Sequence, residues 1–355
     1  MADPSTTSPL TRASVQVAHD LIRSHIHKTP VLTNKTLTQL ASTPRTAADL
    51  EKEGSNPEWK GRTPARPVLR LWFKCENLQR IGAFKARGAF HAIERLKQEP
   101  GWAESGGREK GVITHSSGNH AQALALAART NSIPAYIIMP TISAPPKIAA
   151  TRDTYGATVV FSGSTSVERE AATARGTMGL ELQDQVLEQS SSSSSAGLDA
   201  IITPCGGGGM LSGVALSCEG TGIRVFGAEP SFEGADDAKR GYYAGERVEA
   251  VSTLTIADGL RTPVGKIPWS IIYERRLVAG MYSVTEDEIK AALRLVYERM
   301  KLVVEPSAVV GLAVALFNED FRAMVEREAG EKGWDLGIVF SGGNVSLDAL
   351  GKLFA

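Results

Sequence analysis

Cysteine is scarce. Cys75, Cys205 and Cys218 are the only three in 355 residues, and no two of them stand in a CxxC spacing. Three cannot all pair within one chain, which argues against a disulfide scaffold and against a Cys-rich zinc site. An excess of charge of one sign is missing too, since 39 Lys and Arg offset 39 Asp and Glu. A polyanion binder would carry a surplus of cations, so no nucleic-acid partner is expected. No uncharged apolar run approaches the roughly 18 residues of a membrane span, so no membrane is expected either. The opening, MADPSTTSPL, lacks the basic-then-apolar pattern of a leader. Internal repeats are not visible. These absences predict a soluble protein of a reducing compartment, with the cytoplasm as the expected location.

What is present is an ordinary globular balance, 42% hydrophobic and 22% charged residues, which excludes disorder throughout. At about 150 residues per domain, the length predicts about two domains. Glycine numbers 35, above the usual share of roughly 7%. Extra glycine predicts tight turns, or backbone that closes on a ligand.

Val15, Ala18 and Ile22 recur at helical spacing within residues 11–26. Residues 42–66 are polar and rich in Pro and Gly, which predicts a surface insertion before a strand at 68–74. A helical run covers 86–97. From Gly111 the pattern becomes regular. GVITHSS reads as a strand entering a turn, NHAQALALAART as a helix, and AYIIMP as a strand. PPKIAATRDTYG then reads as a helix and TVVFSG as a strand. The alternation resumes with a strand at 200–204, a helix at 210–218, and strands at 225–228 and 336–340. Thr285 and Glu288 form a capping box opening a helix towards Met300. Strands alternating with helices of this length imply βαβ units and a parallel sheet, an α/β fold. The serine run at 190–195 is low in complexity and reads as a surface loop.

Three glycine-rich turns at predicted strand ends carry the chemistry. Gly206, Gly207, Gly208 and Gly209 precede Met210, between a buried strand and a helix. Successive N–H groups there can close on a phosphate, aided by the helix dipole. No Lys-Ser/Thr pair follows, so this is not a P-loop. Ser116, Ser117, Gly118, Asn119 and His120 form a second turn, whose amides suit a carboxylate. Ser341 opens a third, SGGN, with a hydroxyl able to meet a heterocycle nitrogen. Lys85 stands at a predicted helix start, where a protonated amine is disfavoured and the free amine needed for a Schiff base is favoured. Ligands of open parallel sheets gather at the carboxyl ends of the strands. The ligand these turns suggest has a phosphate, a reactive carbonyl and a ring nitrogen, and pyridoxal phosphate has all three.

The segments FKCENLQRIGAFKARGAF, THSSGNHAQALALAA, TPCGGGGMLSGVAL, TIADGL and VFSGGN occur in that order over nearly the whole chain. Together they resemble the fold-type II pyridoxal-phosphate enzymes, in the serine racemase and serine/threonine dehydratase branch. The resemblance implies two open, twisted, mostly parallel sheets with flanking helices. It implies a large cofactor-binding domain from residues 1–107 and 166–355, and a small substrate-closing domain from residues 108–165. It implies that Lys85 holds the cofactor covalently and takes the substrate α-proton. Phe84 would pack near the ring, Asn119 would meet the ring hydroxyl, and Ser341 would face the ring nitrogen. Residues 206–210 would bind the phosphate and 116–120 the substrate carboxylate. Ser117 would be the opposite-face acid of a racemase. Glu229, Ala235 and Asp237 resemble that branch's site for a divalent cation, Mg2+ or Ca2+, although two extra residues lie between Pro230 and Ala235.

The implied activity is loss of ammonia from serine, threonine or a related β-hydroxy amino acid, giving a 2-oxo acid, or inversion to the D-isomer, by a homodimer. A threo-3-hydroxyaspartate ammonia-lyase is a close alternative. Sulfide-trapped β-replacement is a third reaction, and a non-catalytic pseudoenzyme is the reading from another class. The last is raised by a departure at Arg175 and Gly176, where about twenty residues of the family pattern are absent, a helix end, a strand and a loop.

Overall fold

The computed structural model describes residues 9–116, 118–140, 145–162, 176–190 and 197–355. Two sheets organise it. The larger is built from β1 (Val31–Thr33), β2 (Leu69–Cys75), β6 (Ala200–Pro204), β7 (Arg224–Pro230), β8 (Gly280–Val284) and β9 (Trp334–Phe340). These six strands lie in the order β1-β2-β9-β6-β7-β8. Only the edge strand β1 is antiparallel, pairing Val31 with Lys74. The smaller sheet is wholly parallel, β3 (Val112–His115), β4 (Ala135–Pro140) and β5 (Thr158–Ser162) in that order. This is the α/β fold that the strand and helix alternation predicts, in the two mostly parallel sheets that the family resemblance implies.

The central strands are apolar because both faces are covered. Every residue of β9 is buried, and so is every residue of β6. On one face Leu71, Phe73, Phe226 and Phe340 pack under the wholly apolar helix Val310–Phe317. On the other, Ile201, Val225 and Val339 pack against Leu211 and Val214 of helix Gly209–Cys218. The single charge in β9, Asp335, accepts from Arg70 and from the Trp72 indole. A third core joins the helices Lys85–Leu96 and Asn119–Thr130 to the smaller sheet.

Helix starts match the sequence signals. Thr11 caps helix Arg12–Ile22, and Thr285 with Glu288 forms the capping box of Glu286–Leu295. That helix runs on to Met300 only as a π-turn, Val296–Met300. Likewise Pro145–Ala149 continues as a π-turn over Ala150–Thr154. The 42–66 segment is more than surface. Leu50, Trp59 and Ala65 are buried, and a capping box at Thr46 starts helix Ala47–Glu51. Three apolar anchors in a polar composition are too few to show a period. The serine loop beyond Ser190 and Arg175 of the shortened junction lie outside the described residues. Among the described residues no helix is long and apolar enough to cross a membrane.

Candidate active site

Strands β2, β9, β6, β7 and β8 run parallel, so their carboxyl ends share one edge. Each glycine-rich turn of the larger sheet leaves that edge. Lys85 is the first residue of helix Lys85–Leu96, as its sequence position predicts. The chain before it is fastened to the end of β9. The Phe84 N–H donates to the Ser341 carbonyl at 3.0 Å, and the Gly343 N–H donates to the Gly82 carbonyl at 2.9 Å. Ala83 bridges Gly342. Ile81 is held at φ 59°, a costly conformation for a β-branched residue. Its carbonyl accepts from Asn344 Nδ2 at 2.8 Å. Lys85 is partly exposed, and its Nζ lies 5.1 Å from the centre of the buried Phe84 ring. Ser341 is buried beside them.

The 206–210 turn leaves little room for a side chain at two of its glycines. Gly208 has φ 78°, and a Cβ there would stand 2.8 Å from Pro268 Cβ and 2.9 Å from Val264 Cγ1. A Cβ on Gly206 would stand 3.0 Å from Leu260 Cα. Helix Gly209–Cys218 begins there with no side-chain cap. Its N-cap residue, Gly208, has no side chain to accept from the first N–H groups, as an anion site at a helix start requires. Met210 is buried. A phosphate group fits this donor set.

Asn119 opens helix Asn119–Thr130 from the smaller sheet and reaches across to the larger. Its Nδ2 donates to both Glu305 oxygens, at 3.1 and 3.3 Å, and its Oδ1 accepts from Asn344 Nδ2 at 2.9 Å. Asn344 thus ties Asn119 to the Ile81 carbonyl, four residues before Lys85. Glu305 is 5% exposed. Burial, with Asp258 as the next cause, pushes its carboxyl up to about 7. Gly118 donates to Ser116 Oγ at 3.4 Å, and His120 lies in the helix. Ser117 lies outside the described residues. The Lys147 ammonium pairs with Asp258 at 2.7 Å. It lies 3.9 Å from where a Cβ on Gly118 would stand, so a cation flanks the turn before helix Asn119–Thr130.

Sequence reasoning does not single out Glu305, Asn344 or Lys147. Asn344 closes the SGGN turn, where the sequence points to Ser341 alone. Glu305 has a signal, the one charged residue in VVEPSAVVGLAVAL. Lys147 has none, because its partner Asp258 is 111 positions away in the chain.

Glu229 at the end of β7 lies beside Asp237, the first residue of helix Asp237–Ala244. Glu229 accepts from the N–H groups of Ala238 at 3.3 Å and Lys239 at 2.7 Å. Burial, then the neighbouring Asp237, raises its carboxyl well above the usual range. Burial lifts Asp237 to about 6, and its Oδ2 is buried without a hydrogen-bond partner. Ala235 is fully buried between them in sequence. Among the described residues no three His, Cys, Asp or Glu side chains are arranged around one point. Two neighbouring buried carboxylates, one with an orphaned oxygen, are donors of the kind a hard cation takes.

A lysine at a helix start, fastened beside a buried serine, with an all-glycine anion cradle on the neighbouring strand, defines an enzyme that holds a phosphorylated pyridine aldehyde. The comparisons with known proteins agree. The "Pyridoxal-phosphate dependent enzyme" family matches residues 58–178 and 171–330, and the chain belongs to it. The two matched stretches overlap at residues 171–178, around Arg175 and Gly176. A serine racemase of Dictyostelium discoideum is 38% identical over 370 aligned residues, 97% of this chain and 98% of that protein. The structure of maize serine racemase is similar with a TM-score of 0.78 at 32% identity, over 98% of this chain and 97% of that one. The structure of a threonine deaminase of T.th. is similar with a TM-score of 0.71 at 31% identity, over 94% of this chain and 98% of that one. The chain is a pyridoxal-phosphate-dependent enzyme.

Proposed function

We propose that the enzyme is an ammonia-lyase, a racemase, or both, acting on L-serine, L-threonine or a related β-hydroxy amino acid. The observation that carries this reading is the joining of Lys85, Ser341, Asn119 and the glycine cradle at one sheet edge. The names of the relatives supply the substrate class. When bound, the cofactor's conjugated ring withdraws electrons from the substrate α-carbon. The chain's residues do the rest. Lys85 holds the cofactor and then takes the α-proton. The amides of residues 206–210 would hold the phosphate, and Phe84 would pack near the ring. Asn119, itself held by Glu305 and Asn344, would orient the ring hydroxyl. Ser341, a neutral group, would meet the ring nitrogen, which would disfavour a full positive charge there and leave β-elimination competitive. Ser116, Gly118 and His120 line the turn for the substrate carboxylate, with Lys147 beside it. Ser117 donates the proton to the opposite face when the D-isomer forms.

The test is the visible absorbance of the purified protein beside Lys85→Ala. A band in the parent that is lost in the variant supports the assignment. Keto-acid and D-isomer assays on L-serine, L-threonine and 3-hydroxyaspartate then fix the substrate. Folded parent protein without a band would refute the assignment and favour a pseudoenzyme. A hydroxyaspartate substrate has one specific support, the Lys147 cation beside Gly118, although Asp258 already balances it.

The reading includes Mg2+ or Ca2+ at Glu229, Ala235 and Asp237. A rise in melting temperature with Ca2+, absent in Asp237→Asn, would support it, and equal rises in both proteins would remove it. It also includes residues 108–165 as the closing domain and a homodimer in the cytosol, the oligomer being checked by sedimentation.

A further inference from the structure

A cluster of four buried charges lies behind Lys85. Arg87 is two residues along the same helix, so the two side chains leave it about 200° apart. Lys85 is partly exposed and Arg87 is wholly buried. Arg87 Nε and Nη2 donate to the two Glu76 oxygens at 2.7 and 2.8 Å. Its Nη1 and Nη2 donate to the two Glu181 oxygens at 2.8 and 2.9 Å, and Nη1 also reaches Thr177 Oγ1 at 3.2 Å. Lys74 Nζ donates to Glu181 at 2.6 Å, and to the Thr29 carbonyl and Gln185 Oε1, each at 2.8 Å. Two cations thus balance two carboxylates.

Stability is a weak reason for such a cluster, because a well-packed apolar replacement of buried ion pairs is often as stable. Spacing is a stronger one. Thr177 and Glu181 belong to helix Thr177–Ser190, which also packs on helix Gly209–Cys218. A Cβ on Gly176 would collide with the Gly213 carbonyl, and one on Gly179 with Ser217 Oγ. Gln183 Nε2 donates to the Ser217 carbonyl at 3.1 Å. The Thr177–Ser190 helix therefore stands between the helix that starts at Lys85 and the helix that starts at the glycine cradle. It meets both through contacts that tolerate little change of distance.

We propose that Arg87 is a positioning residue, which through Glu181 and Thr177 fixes the separation between Lys85 and the 206–210 cradle. This rests on the reading that these two sites hold opposite ends of the cofactor. The guanidinium fork sets both direction and distance to a carboxylate, which an ammonium does not. It also gives the shortened chain a way to keep its site, since Thr177 directly follows the junction.

The test compares cofactor-loaded parent, Arg87→Lys and Thr177→Val. Two quantities are read beside the melting temperature. One is the induced circular dichroism of the visible band per bound cofactor, and the other is the rate of cofactor release. Misplacement of Lys85 in Arg87→Lys should lower the first about twofold and raise the second about tenfold. Thr177→Val should move both in the same direction by less. A lower melting temperature with parental values of both would mean a purely structural role and would overturn the proposal. If Arg87→Lys does not fold, Thr177→Val decides by the same readouts. A parent with no visible band would instead defeat the assignment of Lys85, and this inference with it.

Discussion

Glu305 is where burial and chemistry oppose each other most directly, and the apo-protein offers a clean measure of it. The carboxyl is raised from its ordinary 4.5 to about 7 by burial, then by Asp258. Below pH 4.5 the group is neutral both folded and unfolded, and burial costs nothing. As pH rises through 4.5 the unfolded chain ionises first, and the cost grows until the folded group ionises near 7. The cost is about 1 kcal/mol at pH 5 and about 3 kcal/mol at pH 8. Glu305→Gln keeps the shape and an acceptor for Asn119 but removes the charge. The variant should therefore gain about 2 kcal/mol relative to the parent between those two pH values. For 355 residues unfolding as one unit, at roughly 2 cal/mol/K per residue, that is about 3 °C in melting temperature. Calorimetry of both apo-proteins at pH 5 and 8 measures the gap. A melting-temperature difference that does not change with pH would refute the burial argument for Glu305.

Gly208→Ala should cost about 1–3 kcal/mol from the positive φ alone. With the added contact to Pro268, cofactor affinity should fall at least about tenfold, read by titrating the apo-protein with pyridoxal phosphate. Burial pushes the thiols of Cys75 and Cys218 up to about 12, and that of Cys205 well above its ordinary value. An aromatic disulfide reagent should therefore label none of the three in native protein at pH 8, and all three in denaturant. Rapid native labelling would contradict the burial of these residues. Lys147→Met removes the cation beside Gly118 and should raise KM for L-serine about tenfold with a smaller effect on kcat. An unchanged KM would mean that Lys147 serves only its contact with Asp258.

The sequence alone determined the alternation of strands and helices and the place of the glycine-rich turns. Strand and helix alternation specifies a parallel sheet because each buried strand needs a covering helix on the way to its neighbour. Four successive glycines after a strand mark a tight strand-to-helix turn, and the positive φ and close contacts at Gly208 explain why glycine stands there. Capping pairs such as Thr285 with Glu288 are local, so they read directly. The short strand β8, GMYSV, and the anchors Leu50 and Trp59 carry no period long enough to read. Tertiary structure decided the remainder of the site. Asn119 meets Glu305 across 186 positions of chain, and Arg87 meets Glu181 across 94. Neither partner has a local reason to be polar and buried. Their charges and amides are tolerated only because a distant segment supplies the complementary group, and that pairing exists only once the two sheets and the Thr177–Ser190 helix have packed.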